Sequence, residues 1–355
     1  MTDVKSRGAA GRAHYVLLGP LPPPVGGATV LFKQLVEDLR SRTHLEITVI
    51  DTSRKNVNAA FSVMRAIQVS WQLLRCVRSC DVVSFHTSRR GAVLFGPIVW
   101  GICHLFRKPW IFRGFGDFET WHKSAGRPAR FVFDHTALQA DAVLFETKAA
   151  VAVFRQKTSA TVHWYANNRP IGSALHTQEF RGASRFVFVG HVKPSKGVRE
   201  LIEAARLVKH VAVDVYGPLL EGMHDRDFLG GTARYRGVLA PEQVEATLRN
   251  YDALVFPTYY EGEGYPGIIL EAYSAGLAVI TTRWRCIPEI VTDRSGILVE
   301  PQDVGELAAA MRHLSTSPEC VMLLRNGAKD AAAAFSSDIW TDRFLEISAV
   351  AGQIV

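Results

Sequence analysis

A chain of 355 residues with 48% hydrophobic content is globular and long enough for two domains of ordinary size, and no low-complexity tract interrupts it. Its net charge of +7 suits an acidic partner, and charge alone does not choose among small anionic ligands, anionic lipids and nucleic acids. Nucleic acid is excluded as a partner, because the basic residues are dispersed rather than interleaved with aromatics and no zinc-finger, RNP-like or helix-turn-helix signature is present. The five cysteines are odd in number and show no CxxC spacing, which points to a reducing compartment and away from structural zinc. The first fourteen residues are polar and small with no signal-peptide core, so a cytoplasmic location is expected.

In chain order, residues 15–18 form an apolar run that predicts a buried strand, followed by a proline-rich loop with Gly26 and Gly27 and the helical spacing Val30, Leu31, Leu35, Leu39. Further strands are predicted at 47–50, 82–85, 110–112 and 142–145, with helical stretches between them. Such alternation implies a parallel sheet. At 167–172 the pattern breaks into turn residues, and a strand at 186–189 opens a second series. The domains are therefore expected at 1–170 and 171–335. The second series continues with a loop and helix at 193–209, a strand at 211–216, a helix at 241–250, and strands near 254, 279 and 297–299. Helices are predicted at 304–314 and, in the tail, at 338–354.

The most informative stretch runs from Glu261 to Gly276. The apolar run 253–256 ends at Pro257, and after an acidic glycine loop containing Gly264 a helix is expected to open at Tyr265 and Pro266. Proline fits a first helical turn, and the N–H groups of Gly267 and Ile268 then form, with the helix dipole, a site for an anion. Glu263 in the loop and Glu271 two turns along are unfavourable beside an anion unless they bind hydroxyl groups. One ligand with a sugar, a pyrophosphate and a ribose satisfies all three features. Glutamates at this spacing also occur by chance on surface helices, so the strand, loop, helix and Gly276 stop carry the reading.

This constellation resembles the family 4 retaining glycosyltransferases (glycosyl transferases group 1) with a GT-B fold. The fold class implied is α/β, two Rossmann-like doubly wound domains facing a cleft, with the tail 336–355 crossing back to the amino-terminal domain. Ligands of open parallel sheets sit outside the carboxyl ends of the strands, which puts the expected active site in that cleft. The resemblance implies that Glu271 bonds the donor ribose, Glu263 addresses the donor sugar, and the loop amides hold the pyrophosphate. Gly190, Lys196 and Gly197 match the family's glycine, arginine, lysine-glycine loop, in which both basic residues neutralise the leaving diphosphate. Here His191 replaces the arginine, a departure that weakens the loop's charge unless the histidine is protonated or Lys193 substitutes. Gly26 and Gly27 match the amino-terminal glycine loop, although a plain tight turn explains them equally; no dinucleotide fingerprint is present. No cofactor or metal is implied, and Asp225 and Asp227 read as surface.

Three residues of the first domain, His86, Arg113 and Asp117, stand at expected strand ends, either facing the cleft or anchoring loops. His86 is an acceptor-side candidate. Arg113 occupies the family's histidine position and is a candidate phosphate or sugar contact, and Asp117 is a candidate base. The donor base is expected near Val238, and the sugar near Tyr259, Tyr260 and Tyr265. The helix 59–77, with Arg65, Arg75, Arg78 and Trp71, and the apolar segment 92–106 between basic residues either pack on the sheet or rest on an anionic membrane surface. The function expected is transfer of a sugar from a UDP- or GDP-sugar to a hydroxyl acceptor, sugar or lipid-linked, in polysaccharide or glycolipid synthesis. A catalytically silent nucleotide-sugar-binding protein and a sugar-nucleotide 2-epimerase are the alternatives.

Overall fold

The computed structural model describes residues 12–53, 59–171 and 183–353. The amino-terminal segment read above for a signal peptide, up to residue 11, and Gly172 at the expected domain junction lie outside those residues. The chain divides into two compact units, the first made of Met1–Phe145, Val153–His163 and Thr341–Val355, the second of Glu146–Ala152 and Trp164–Trp340.

The first unit is built on β1 (Ala13–Gly19), β2 (Leu45–Asp51), β3 (Val82–Ser88), β4 (Trp110–Phe115), β5 (Ala142–Phe145) and β6 (Thr161–Trp164), in the order β2-β1-β3-β4-β5-β6. Pairing is parallel from β2 through β5. Strands covered on both faces need continuous apolar runs, and β4, with Trp110, Ile111 and Phe112, is buried throughout. The helices are α1 (Gly27–Ser41), α2 (Ala59–Cys76), α3 (Arg89–Leu105), α4 (Phe118–Ser124) and α5 (Arg127–His135); α6 (Lys148–Phe154) follows β5, belongs to the second unit up to Ala152 and to the first from Val153.

The second unit repeats the plan with β7 (Arg185–Val189), β8 (Ala212–Tyr216), β9 (Ala233–Tyr235), β10 (Ala253–Phe256), β11 (Ala278–Thr282) and β12 (Gly296–Val299), ordered β12-β11-β10-β7-β8-β9. All its strand pairs are parallel. The helices are α7 (Val198–Leu207), α8 (Pro241–Leu248), α9 (Gly267–Ser274), α10 (Val304–Thr316) and α11 (Pro318–Ala334); the last helix, α12 (Ser337–Gln353), begins in the second unit and from Thr341 onward belongs to the first. From β7 the chain first builds outward through β8 and β9, then returns to lay β10 on the opposite side. β7 and β10 therefore flank a switch point, and the loops leaving their carboxyl ends face each other, the arrangement in which open α/β sheets hold ligands.

Some elements, α6 among them, were not anticipated. β9 is three residues long and β6 four, too short to show an alternation. The buried positions of α11, Val321, Leu324, Ala328 and Ala332, follow helical spacing, but its many alanines give little contrast between buried and exposed faces. The strand containing His86 is also longer than expected, running to Ser88, because Ser84, His86 and Thr87 are buried polar residues that interrupt the apolar pattern.

Candidate functional site

The loop after β7 is held by its glycines. A 3-10 turn spans Pro194–Lys196, and Gly197 then takes a left-handed conformation, φ 73°, to start α7. A Cβ on Gly197 would lie 2.0 Å from the Pro257 carbonyl oxygen, so glycine supplies both the backbone angle and the close approach of the two loops. The Tyr259 amide donates to the Ser195 carbonyl at 2.9 Å. The loops leaving β7 and β10 are thus joined through their backbones.

Across that junction Lys196 pairs with Glu263. The Lys196 ammonium and the Thr258 hydroxyl, the latter at 2.7 Å, both donate to Glu263 Oε2. The two charged residues are only 9% and 8% exposed. A buried charge is tolerated when paired and hydrogen-bonded, and this pair meets both conditions. Thr258 is fixed in turn by the Thr282 hydroxyl donating to its carbonyl. Beneath the pair lies Tyr260, with Lys196 Nζ 5.0 Å and Lys193 Nζ 4.0 Å from its ring centre. Lys193 also pairs with Glu221 at 3.1 Å.

The helix α9 begins at Gly267, with Pro266 in the extended N-cap position, rather than at Tyr265. Tyr265 is instead buried below the loop, 3% exposed, and its hydroxyl donates to Glu289 Oε2 at 2.5 Å. Its side chain is therefore directed into the unit rather than toward a ligand at the loop surface. The amides of Gly267 and Ile268 are the first two of α9, and Gly264 and Glu271 are partly exposed. Glu271 Oε1 accepts a hydrogen bond from Arg169 Nε at 2.8 Å. Asn167, two residues earlier, donates to the Tyr265 carbonyl at 2.8 Å. Arg169, Asn167 and Thr258 carry no motif signal. Arg169 and Asn167 fall in the turn-rich stretch read only as a domain junction, about a hundred residues before their partners in sequence.

His191 is exposed, and its imidazole pKa is lowered by partial desolvation and then by Lys196 and Lys193. It is neutral at neutral pH, which leaves Lys193 and Lys196 as the cations of this loop. Gly190 precedes it with φ 156°. Val238 follows β9 and is 65% exposed. A cavity of about 470 Å³ elsewhere in the unit is lined by Leu219, His224, Asp225 and Arg226. Asp225 is exposed there, and Asp227 accepts from the His224 amide at 2.8 Å. Among the described residues no group of three or more His, Cys, Asp or Glu is placed to hold a metal ion.

In the first unit, Gly26 is the N-cap of α1, its amide donating to Thr29 Oγ1 at 2.9 Å, and Gly26 and Gly27 are both exposed with open space around them. His86 and Arg113 stand at other positions than expected. They lie within β3 and β4 rather than at their ends and are register partners across the two strands. His86 is 0% and Arg113 1% exposed, so the sheet encloses both. His86 bonds Ser84 at 2.8 Å and packs against Phe32, Phe115 and Phe344. Asp117 is the N-cap of α4 and accepts from the Thr120 amide at 2.9 Å, the anchoring use that stood as the alternative to a catalytic base.

Residues 183–317 match the family model described as Glycosyl transferases group 1, and this stretch belongs to that family. Over 134 residues the chain is 29% identical to the O-antigen chain mannosyltransferase B of Escherichia coli, covering 35% of this chain and 34% of that protein. It is 27% identical to the phosphatidyl-myo-inositol mannosyltransferase of Propionibacterium freudenreichii, covering 58% of this chain and 57% of that one. The chain thus spans from about a third to just over half of the length of these curated relatives. Among solved structures, Anabaena HepE in complex with UDP superposes with a TM-score of 0.73 at 16% identity, over 94% of this chain and 98% of that one. The shared fold is the two-domain α/β GT-B fold.

Burial, followed by the Arg113 guanidinium, holds the His86 imidazole well below its ordinary pKa. The native state keeps His86 neutral while the unfolded chain binds a proton below about pH 6.5, so the resulting stability is full above that pH and declines as pH falls. The unfolding free energy from urea titration is expected to drop by up to about 1.4 kcal/mol per pH unit on this account below pH 6.5, and His86→Gln should show a correspondingly flatter pH profile than the wild type. An equal slope in both proteins would contradict the assignment.

Proposed function

We propose that this chain transfers a sugar from a nucleoside-diphosphate sugar to a hydroxyl acceptor, with retention at the anomeric carbon. The observation that carries the proposal is the buried Lys196–Glu263 pair joining the loops that leave β7 and β10 at the switch point of the second sheet, with the first amides of α9 and Glu271 following Glu263 along the chain. The binding of UDP by HepE, a protein of the same fold, and the family of residues 183–317 support the same reading.

In this reading Glu271 takes the ribose hydroxyls and the Gly267 and Ile268 amides take the diphosphate. As the bond from the anomeric carbon to the diphosphate breaks, negative charge grows on the departing nucleotide, and fixed cations beside it lower the barrier. Lys196 supplies one. Lys193, held over the same tyrosine ring, supplies the second where the family has an arginine, because the neighbouring His191 is neutral. Protein cations, rather than a metal ion, then provide the neutralisation. Glu263, whose Oε2 is engaged by Lys196 and Thr258, addresses the donor sugar. The donor is a UDP- or GDP-sugar.

A lipid-linked acceptor fits the surface of the first unit. On α2, Val69, Leu73 and Val77 beyond its end are fully buried, yet a second apolar stripe, Met64, Ile67, Trp71 and Leu74, is 43–65% exposed. The neighbouring α3 adds Trp100 and Leu105, 37% and 73% exposed. Arg75 lies over the Trp71 ring at 4.4 Å and Arg78 over Phe106 at 5.1 Å, so cations border the apolar stripe as a contact with anionic lipid headgroups requires. No helix of the described residues is long and apolar enough to cross a membrane. In this reading the chain works as a peripheral protein on the inner face of the membrane, and the phosphatidyl-myo-inositol mannosyltransferase among its relatives supports a lipid acceptor.

Thermal denaturation with UDP and GDP checks the donor site. A nucleotide that binds only the folded state, at a hundred times its Kd, adds about 2.7 kcal/mol of stability, and Glu271→Ala should abolish most of the rise in Tm. No rise with either nucleotide would end the donor-site reading. Co-sedimentation with phosphatidylglycerol vesicles, against pure phosphatidylcholine, checks the membrane face: binding is expected to the anionic vesicles only, to weaken with salt, and to be lost in Trp71→Glu. Equal sedimentation of wild type and variant would refute that surface.

A further inference from the structure

We infer that Arg169 is a positioning residue of the nucleotide site, holding the Glu271 carboxylate in the orientation that receives the ribose hydroxyls; this rests on the donor-site reading above. Arg169 lies outside the glycine loops and is fixed from both sides. Its amide donates to the Phe335 carbonyl at 3.0 Å, and its carbonyl accepts from the Ser337 amide at 2.9 Å, in a parallel bridge with Ser336. Its side chain, 11% exposed, is directed onto the first turn of α9.

There the guanidinium makes two bonds with different consequences. Nη1 donates to the Asn168 carbonyl at 2.9 Å, which locks the end of the side chain to its own backbone. Nε donates to Glu271 Oε1 at 2.8 Å. A single bond to one carboxylate oxygen fixes the rotation of the carboxyl group and leaves Oε2 outside the pair. A carboxylate so held loses little further freedom when it accepts from a vicinal diol, which is how preorganisation raises affinity. The geometry also needs a residue without a side chain beneath it, since a Cβ on Gly267 would lie 2.1 Å from Arg169 Nη2. Gly267 thus serves the site by admitting the guanidinium.

A cation at the start of a helix opposes the helix dipole, so Arg169 is unfavourable there unless an anion accompanies it. Glu271 is that anion in the free protein. The arrangement separates this role from a purely structural one. Loss of a support that acts only on folding would weaken every nucleotide alike. Loss of the hold on Glu271 weakens discrimination for the ribose hydroxyls.

The test compares the affinities of UDP and GDP with those of their 2′-deoxy forms, by calorimetry on the full chain. Wild type is expected to prefer the ribonucleotide. Arg169→Gln should reduce that preference by roughly tenfold, the scale of one charge-assisted hydrogen bond, while changing the affinity of the 2′-deoxy form far less. Gly267→Ala, which displaces the guanidinium, should do the same. If Arg169→Gln does not fold, Arg169→Lys decides, since lysine keeps the charge but not the Nε geometry, and the preference should again fall. A preference unchanged in these variants but lost in Glu271→Gln overturns the role of Arg169 and leaves the donor site standing. A preference unchanged in Glu271→Gln, or no binding by wild type, overturns the donor-site reading and this inference with it.

Discussion

Everything in the second unit that bears on chemistry depends on one buried ion pair. Lys196 and Glu263 come from loops that leave different strands, and neither charge is tolerable in that place alone, because removing one partner of such a pair leaves the other unpaired and desolvated. The pair therefore fixes the separation of the β7 and β10 loops. Gly197, which brings the backbone against Pro257, and Thr258, which shares the same carboxylate oxygen, make that separation short. Glu263 lies in the loop that leads directly into α9, so the pair precedes the free amides at the start of that helix. That combination suits a ligand carrying both a diphosphate and hydroxyl groups.

The substitution of His191 in the basic loop acquires a physical explanation from the same cluster. A histidine beside Lys193 and Lys196 meets two cations as well as partial burial, and all three effects favour its neutral form. An arginine there would add a third charge. This chain keeps the loop's charge at two by setting Lys193 over Tyr260, within reach of Glu221. In the first unit the exchange runs the other way. Arg113 is enclosed beside His86 in the sheet, where a guanidinium and an imidazole coexist because the imidazole stays uncharged.

Much of the fold was legible because the strands are buried on both faces and read as continuous apolar runs. Val82–Phe85, Ala142–Phe145 and Ala253–Phe256 are of this kind, and the structure places strands at each. Short edge strands such as β9 and the alanine-rich α11 carry too little contrast. The glycine loops of the candidate site were legible for a related reason: Gly197 and Gly276 mark left-handed backbone, which the sequence announces through residue type. What could not be read was pairing over long separations. Nothing local connects Arg169 to Glu271, Lys196 to Glu263, or Tyr265 to Glu289. Polar residues inside strands were misplaced for the converse reason: His86 and Arg113 look like strand ends when polarity alone is followed, and only the register shows that the sheet continues past them.

The most direct test of the account is the release of nucleoside diphosphate from UDP-glucose and GDP-mannose by the purified chain without acceptor, compared with Lys196→Gln. A site that stabilises the departing diphosphate should cleave one of these donors slowly through attack by water. The variant, if it retains its fold by circular dichroism, should cleave it at least about a hundredfold more slowly, as expected for loss of a fixed charge at the developing anion. Equal release by wild type and variant, or no release of either nucleotide by the wild type, would contradict the claim that the Lys196–Glu263 cluster is the catalytic centre of a glycosyl transfer.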